Sequence, residues 1–350
     1  MRSLIFFEKM KKIIGLTYDL KENWKLNPGD PEDLNAEHDS GPTVDEIARA
    51  FEKDGHVVKR IGNAENLLRN IPDLGVDVVF NIAEGRFGRN RESQIPLLLE
   101  MHGIPFVGAD ALTLGVTLDK IIAKKCFIAD GIPTPRYFEA FSTDNLKTLN
   151  TIGFPLMVKP RFEGTSKGLT ENSRVTDFEG LKYQVGLINK KYRQSALVEE
   201  FIRGSEYTVG VIGNGHAEAM PVVQVNIDGK HKLGDVFFTS VRVTKQKDTV
   251  DYVCPAQIPE QLSRTMRELA IKAYKSVDCR DFGRVDFRVD EKGSPYVLEI
   301  NPLPSLSTED AFFFIAKAIG INYEEIINKI LNAGLARLGL SNGKMSEAAA

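Results

Sequence analysis

Cysteine is scarce here. Only three occur in 350 residues, Cys126, Cys254 and Cys279, and their spacing fits no metal or redox motif. That usage points to a reducing compartment, with Cys254 and Cys279 as buried fillers among apolar neighbours. Positive charge is not in excess either: the formal net charge is −3, which argues against nucleic acid as the main partner. No apolar run approaches the ~20 residues that a membrane helix requires. Residues 4–7 are too short for a signal h-region and no small-residue cleavage site follows them, so the expected location is cytoplasmic. Internal repeats and low-complexity blocks are absent, as is any Ser/His/Asp or Cys/His constellation for nucleophilic catalysis.

What remains is an ordinary soluble composition, long enough for two or three domains with proper cores. Met10-Lys11-Lys12 ahead of an apolar stretch reads as a natural start, which makes residues 1–9 an extension. Strands over 13–18, 56–60 and 76–82 alternate with helices over 43–54 and 65–70 and a further helix ending at His102. The pattern predicts a small parallel, Rossmann-like α/β domain over 10–111. Thr43 with Glu46, and later Thr176 with Glu179, read as capping boxes. A helix over 112–130 and strands over 154–160 and 196–202 make a second unit, 112–198. Strands over 206–212 and 219–225, an irregular polar stretch over 226–251, a helix over 259–276, a hairpin and a helical 308–338 make a third, 199–340. The tail, 341–350, reads as frayed. The expected class is α/β, with an α+β carboxyl-terminal half.

The hairpin carries the clearest chemistry. Residues 282–290 and 295–301 alternate apolar and polar around Lys292-Gly293, and Gly accepts the positive φ of a tight turn. Pairing Asp290 with Pro295 sets Asp286 opposite Glu299 and Arg284 opposite Asn301. Side chains two apart share a face, so Arg284, Asp286, Glu299 and Asn301 form one polar square. Val285, Phe287, Val289, Tyr296, Leu298 and Ile300 form its apolar back. Facing carboxylates repel. Oxygen donors with an arginine alongside suit a hard cation such as Mg²⁺ and the phosphates it carries, and this reading outweighs incidental surface charge.

Other motifs are weaker alone. Residues 154–160 end a strand on Lys159 and run into Arg161-Phe162-Glu163-Gly164-Thr165-Ser166-Lys167-Gly168, a loop able to offer backbone N–H groups to phosphate. Lys120, on spacing alone, is an exposed helix lysine. Glu84-Gly85-Arg86-Phe87-Gly88-Arg89-Asn90-Arg91 follows the third strand. It is either an anion site or a solvated basic loop, and its place at a strand's carboxyl end favours the former.

Taken in order, Lys120, Val158-Lys159-Pro160, the Gly/Ser loop, Leu197-Val198-Glu199-Glu200, Glu206, Arg284-x-Asp286 and Glu299-x-Asn301 resemble the ATP-grasp superfamily. The D-alanine–D-alanine ligase branch is the nearest, over roughly residues 76–335. The resemblance implies an ATP-grasp fold and an acyl-phosphate route to an amide or dipeptide. It implies ATP, two Mg²⁺ ions for which Mn²⁺ can substitute, small carboxylate and amine substrates, and a homodimer. By position it implies that Lys120 and Lys159 hold phosphates under a flap including Gly164, Thr165 and Ser166. Glu199, Glu200, Phe201 and Ile202 would read adenine and Glu206 the ribose. Asp286, Glu299 and Asn301 would bind metal and Arg284 would steady the transferring phosphate. Phosphoryl transfer of this kind needs positioning and charge neutralisation rather than a protein nucleophile.

The chain also departs from that branch. The Gly-rich amino-terminal stretch that grips the first D-alanine is replaced by a different loop over 17–43. Lys245 and Arg242 compete for the place of the substrate-loop lysine. Asp310 stands where the family has a serine that meets the acceptor's carboxylate, with Ser307 nearby. A carboxylate there repels another by ~1 kcal/mol at 4 Å even in bulk water. The expectation is therefore an acceptor other than plain D-alanine, presenting a cation near Glu309 and Asp310. Glu84, Arg86, Arg89 and Arg91 would bind the donor. Genuine D-alanine–D-alanine ligation and a non-catalytic nucleotide module are the alternatives.

Overall fold

The computed structural model describes residues 11–341 apart from Asn145, Asn150 and Lys245. The expected extension and the tail beyond Ser341 lie outside the described residues. Three sheets organise the chain. The first is parallel, in the order β2-β1-β3-β4, from β1 (Ile13–Thr17), β2 (Val57–Gly62), β3 (Val78–Asn81) and β4 (Phe106–Val107). Helices return the chain between strands, as the alternating pattern requires. The second sheet is antiparallel, β5-β8-β6-β7, from β5 (Tyr137–Ala140), β6 (Leu156–Pro160), β7 (Arg174–Val175) and β8 (Ala196–Glu200). The third has β9 (Gly204–Ile212), β10 (Glu218–Ala219), β11 (Val223–Ile227), β12 (Val250–Val253), β13 (Phe282–Asp290) and β14 (Pro295–Asn301). Its order is β12-β11-β9-β13-β14, with β10 beside β9.

Several boundaries differ from the expectations, each for a local reason. The helix expected over 112–130 is two, Ala111–Leu118 and Lys120–Ala129, because extended Asp119 (ψ 92°) caps the second through the N–H groups of Ile121 and Ile122. That break puts Lys120 in the first turn of a new helix. The first helix is capped by Ser40 and spans Gly41–Lys53; that over Phe178–Lys191 is capped by Asp177. Each cap lies near the expected box, but on a residue with the extended backbone that an N-cap needs. The 226–251 stretch is not wholly irregular. Its end pairs into the sheet as β12.

The hairpin register holds where the chemistry is, with Arg284 opposite Asn301 and Asp286 opposite Glu299, then shifts by one residue. Leu298 is the extra residue of a β-bulge, a device common beside active sites. The slip carries Val297, not Tyr296 or Leu298, into the core with Phe287. Val289 now faces Pro295, and the Asp290 carboxylate closes the turn by accepting the N–H groups of Lys292 and Ser294 at 2.9 and 2.8 Å.

One core joins the first sheet to the end of the chain: Ile14, Leu16 and Phe80 pack with Phe282, Phe312, Ile326 and Ile330. The second sheet keeps its own core around Leu156, Val158, Leu181 and Val185. The cavity described next lies where these bodies meet.

Candidate active site

A cavity of about 1000 Å³ is lined by residues of the second and third sheets and by the loops that leave all three. One wall is the polar face of β13 and β14. Arg284 donates to both Asp286 carboxylate oxygens, at 2.9 and 3.0 Å, and Asn301 Nδ2 donates to one of them at 2.8 Å. From β9, Thr208 donates its hydroxyl to Asp286 at 2.6 Å. Glu299 is met by Lys120 Nζ at 2.6 Å. Burial alone would raise the Glu299 carboxyl, but Lys120 and Lys159 outweigh it and hold the group at about 2. The expected square is thus assembled, with Lys120 as a fifth member that the helix break at Asp119 aims into it.

Behind this wall sits a buried triad that sequence reasoning half missed. Glu199 takes Lys159 Nζ at 2.5 Å and Lys124 Nζ at 2.8 Å. Burial would raise the Glu199 carboxyl; the two lysines outweigh it and lower it. Lys124, almost fully enclosed, also reaches Thr134. Its signal was a lysine inside an apolar helix face, visible in the sequence but silent without the partner strand.

The Gly/Ser loop covers the cavity. Lys167 N–H bonds Gly164 O at 2.9 Å around Thr165 and Ser166, both left-handed at φ 46° and 55°. Two non-glycine residues in that region cost of order 1 kcal/mol or more each. The loop from the first sheet holds this turn down. Glu37 accepts Gly164 N–H at 2.6 Å, Lys167 Nζ at 2.8 Å and Arg91 Nη2 at 2.8 Å. Asp33 accepts Gly168 N–H at 2.8 Å and the Tyr192 hydroxyl. Burial would raise the Glu37 carboxyl, yet Lys167 and Arg91 bring it down to about 2. Glu37 and Asp33 had no periodic or motif signal.

At the far end, Phe201, Ile202 and Phe237 give an apolar slot next to Glu206. Arg288 fixes that glutamate: it binds Glu206 and also donates to the carbonyls of Ile202, Gly234 and Val236. Arg288 lies two residues beyond Asp286 on the same face, so the strand period could have found it. The Glu200 side chain pairs with Arg136 at 2.9 Å.

The remaining expected residues divide. Glu84, Ser307, Asp310 and Arg242 line the cavity. Arg242 pairs with Glu171 and Asp228, and Lys245 lies outside the described residues. Asp310 caps the helix Ala311–Ala318 and stands 3.7 Å from Arg284, so its charge is partly answered from within. The arginine cluster does not line the cavity. Arg86 lies over the Trp24 ring, Arg89 binds Asp119, and Arg91 binds Glu37 and the Phe162 carbonyl. Each has a protein partner, which removes the reason to expect a free anion there.

A family model described as D-ala D-ala ligase C-terminus matches residues 128–332. An uncharacterised protein of Sinorhizobium fredii is 33% identical over 85% of this chain and 88% of its own length. A D-alanine–D-alanine ligase of Carboxydothermus hydrogenoformans is 33% identical over 84% of this chain and 92% of its own. Among solved structures, the ATP complex of the Bacillus anthracis D-alanine–D-alanine ligase superposes with a TM-score of 0.72 at 23% identity, covering 93% of this chain and 98% of that one. A D-Ala:D-Ser ligase from Enterococcus faecalis gives 0.68 at 20% identity, over 93% and 100%.

Proposed function

This chain belongs to the D-alanine–D-alanine ligase family of ATP-grasp enzymes, and from that premise we propose that it joins an amino-acid-like carboxylate to an amine, with substrates other than two D-alanines. The carrying observation is the joint arrangement of Lys120, Lys159, Arg284, Asp286, Glu299 and Asn301 around one cavity. A donor carboxylate oxygen attacks the γ-phosphorus of ATP and ADP leaves. The amine nitrogen then attacks the acyl carbon, phosphate leaves, and the nitrogen gives up a proton.

In this reading Lys120 and Lys159 hold phosphate oxygens, and the strapped Gly164–Ser166 turn shields them from water. Phe201 and Ile202 seat the base, Glu206 the ribose, and Glu199 keeps Lys159 charged and aimed. Arg284 meets the developing negative charge, where preorganised donors are worth most. Asp286, Glu299 and Asn301 fit Mg²⁺. Among the described residues no three His, Cys, Asp or Glu side chains could by themselves enclose a metal ion, and Mg²⁺ is commonly held by one or two carboxylates plus substrate phosphates. When bound, the ion neutralises phosphate charge. No described helix is long and apolar enough to cross a membrane.

The rival within the family is D-alanine–D-alanine ligation itself, which the name of the Carboxydothermus relative favours. Against it stand Asp310 in the acceptor region and the acidic donor end described below. Coupled ADP release across an amino-acid panel decides: efficient turnover with D-alanine as both substrates would overturn the proposal. Asp286→Asn should cut kcat by at least a hundredfold with an unchanged circular dichroism spectrum.

A further inference from the structure

At the end of the cavity built by the first sheet, the loops after β1 and β3 and the helix Gly41–Lys53 bring four carboxylates to one chamber: Asp39, Glu46, Glu84 and Glu92. None of the four makes a hydrogen bond or ion pair among the described residues, whereas neighbouring Glu37, Glu199 and Glu299 all do. Glu92 is 8% exposed and still faces the cavity. An unpaired buried carboxylate is costly, and the nearby cations are committed elsewhere. Arg91 and Lys167 serve Glu37, and Lys120 serves Glu299. Arg91, Lys120 and Lys167 act on Glu92 from those ion pairs, and Lys21 lines this end as a further counter-charge beside Asp39. Burial, with Glu92 and Glu37 adding to it, pushes Glu84 well above the usual carboxylate range; burial also lifts Glu92 and Asp39 to about 7.

Among the described residues no three such side chains could by themselves hold a metal ion. An extended organic cation suits them better. Ala36, Ile82 and Leu118 provide apolar surface in the same cavity for an aliphatic stem, the usual setting of a long basic side chain.

We propose that this chamber is the side-chain subsite for a basic substrate, an amino acid carrying an ammonium or guanidinium group, with Glu84 and Glu92 as its principal partners. The inference rests on the ligase reading for the substrate's role, though not for its binding. A single α-ammonium would leave most of the four acids unanswered; a second positive charge is what the chamber lacks.

The test uses the full chain with Mg²⁺ and ATP. ADP release is measured with lysine, ornithine and arginine of both hands against norleucine, lysine's neutral near-isostere. Calorimetric binding of lysine and norleucine is measured in parallel with a non-hydrolysable ATP analogue. Lysine-class substrates should exceed norleucine at least tenfold in kcat/KM. In the Glu84→Gln/Glu92→Gln double variant that ratio should fall towards one. Equal use of norleucine, or a preference that survives the double variant, overturns the subsite and leaves the ligase assignment standing. Lysine binding that weakens tenfold in the double variant, with no ADP release from any pair, upholds the subsite and counts against the ligase reading. No binding of any basic amino acid overturns the subsite. The double variant should melt no lower than the wild type at pH 8, which separates these outcomes from misfolding.

Discussion

Glu199 shows what one residue contributes. Its carboxylate lies between two lysines that are nearly fully buried, at 2.5 and 2.8 Å. Removing one partner of a buried ionic group leaves a charge with no compensation, which costs about 3–5 kcal/mol. We expect Glu199→Gln to lower the unfolding free energy by that order in urea titrations and to raise KM for ATP, because Lys159 loses its anchor. An unchanged urea midpoint would mean that the two lysines are not both charged in the folded protein. Residue identity alone carried part of this site. Asp286, Glu299, Asn301 and Arg284 were legible because strand alternation and hairpin pairing are local rules. Glu199 read only as a member of the adenine-side segment, since its lysines come from other elements. Lys124 needed the packed structure to acquire a role, and Arg288, reachable by strand period, needed it to meet Glu206. Glu92 tests the opposite case, a buried acid without a partner. Glu92→Gln should stabilise the ligand-free protein at pH 8 by about 1–3 kcal/mol, and much less at pH 5, where the native carboxyl is already protonated.

Among elements, the loop leading to the first helix and the Gly/Ser turn act together. Glu37 and Asp33 take the N–H groups of Gly164 and Gly168, the same groups that a phosphate-binding loop would offer. They also hold two left-handed non-glycine residues in place. Glu37→Gln removes the anion between buried Arg91 and Lys167, so the turn should loosen. Limited trypsin digestion should then cut after Arg161 or Lys167 several-fold faster than in the wild type, and an ATP analogue with Mg²⁺ should restore part of the protection. Equal cleavage rates would show that the strap does not restrain the turn. This pairing was out of reach of sequence reasoning. Its contacts join residues 127 and 135 positions apart, on loops without periodicity. The elements themselves were more readable: the parallel first sheet, the hairpin and the long helices follow from apolar spacing. The bulge at Leu298 and the helix break at Asp119 were not, since each interrupts the regular period at a single residue.

For the whole molecule, the buried carboxylates fall into two populations with opposite effects on stability. Glu37, held at about 2 by Lys167 and Arg91 against burial, is ionised more readily folded than unfolded. Its contribution is present above pH 4.5 and is lost as pH falls through 4.5 towards 2. Glu92 and Asp39, raised to about 7 by burial, and Glu84, also raised well above its usual range mainly by burial, keep their protons in the folded state when the unfolded chain has released them. For these three, stability falls as pH rises from about 4.5 through 7, because the unfolded state then binds fewer protons. His38, depressed below 6.5 mainly by burial, works the other way, while Glu206, raised mainly by burial, adds to the decline. The ligand-free protein should therefore be more stable near pH 5 than near pH 8, although most globular proteins show little decline over that interval. Urea denaturation at the two pH values measures the difference. In the Glu84→Gln/Glu92→Gln variant the decline should shrink markedly. Saturating lysine should reduce it in the wild type and much less in the variant, which keeps Asp39 and Glu46 but has lost the two carboxyls proposed as the cation's principal partners. A wild-type stability that stays flat from pH 5 to 8 would show that the chamber is hydrated, with its acids paired to water and no need of a basic substrate.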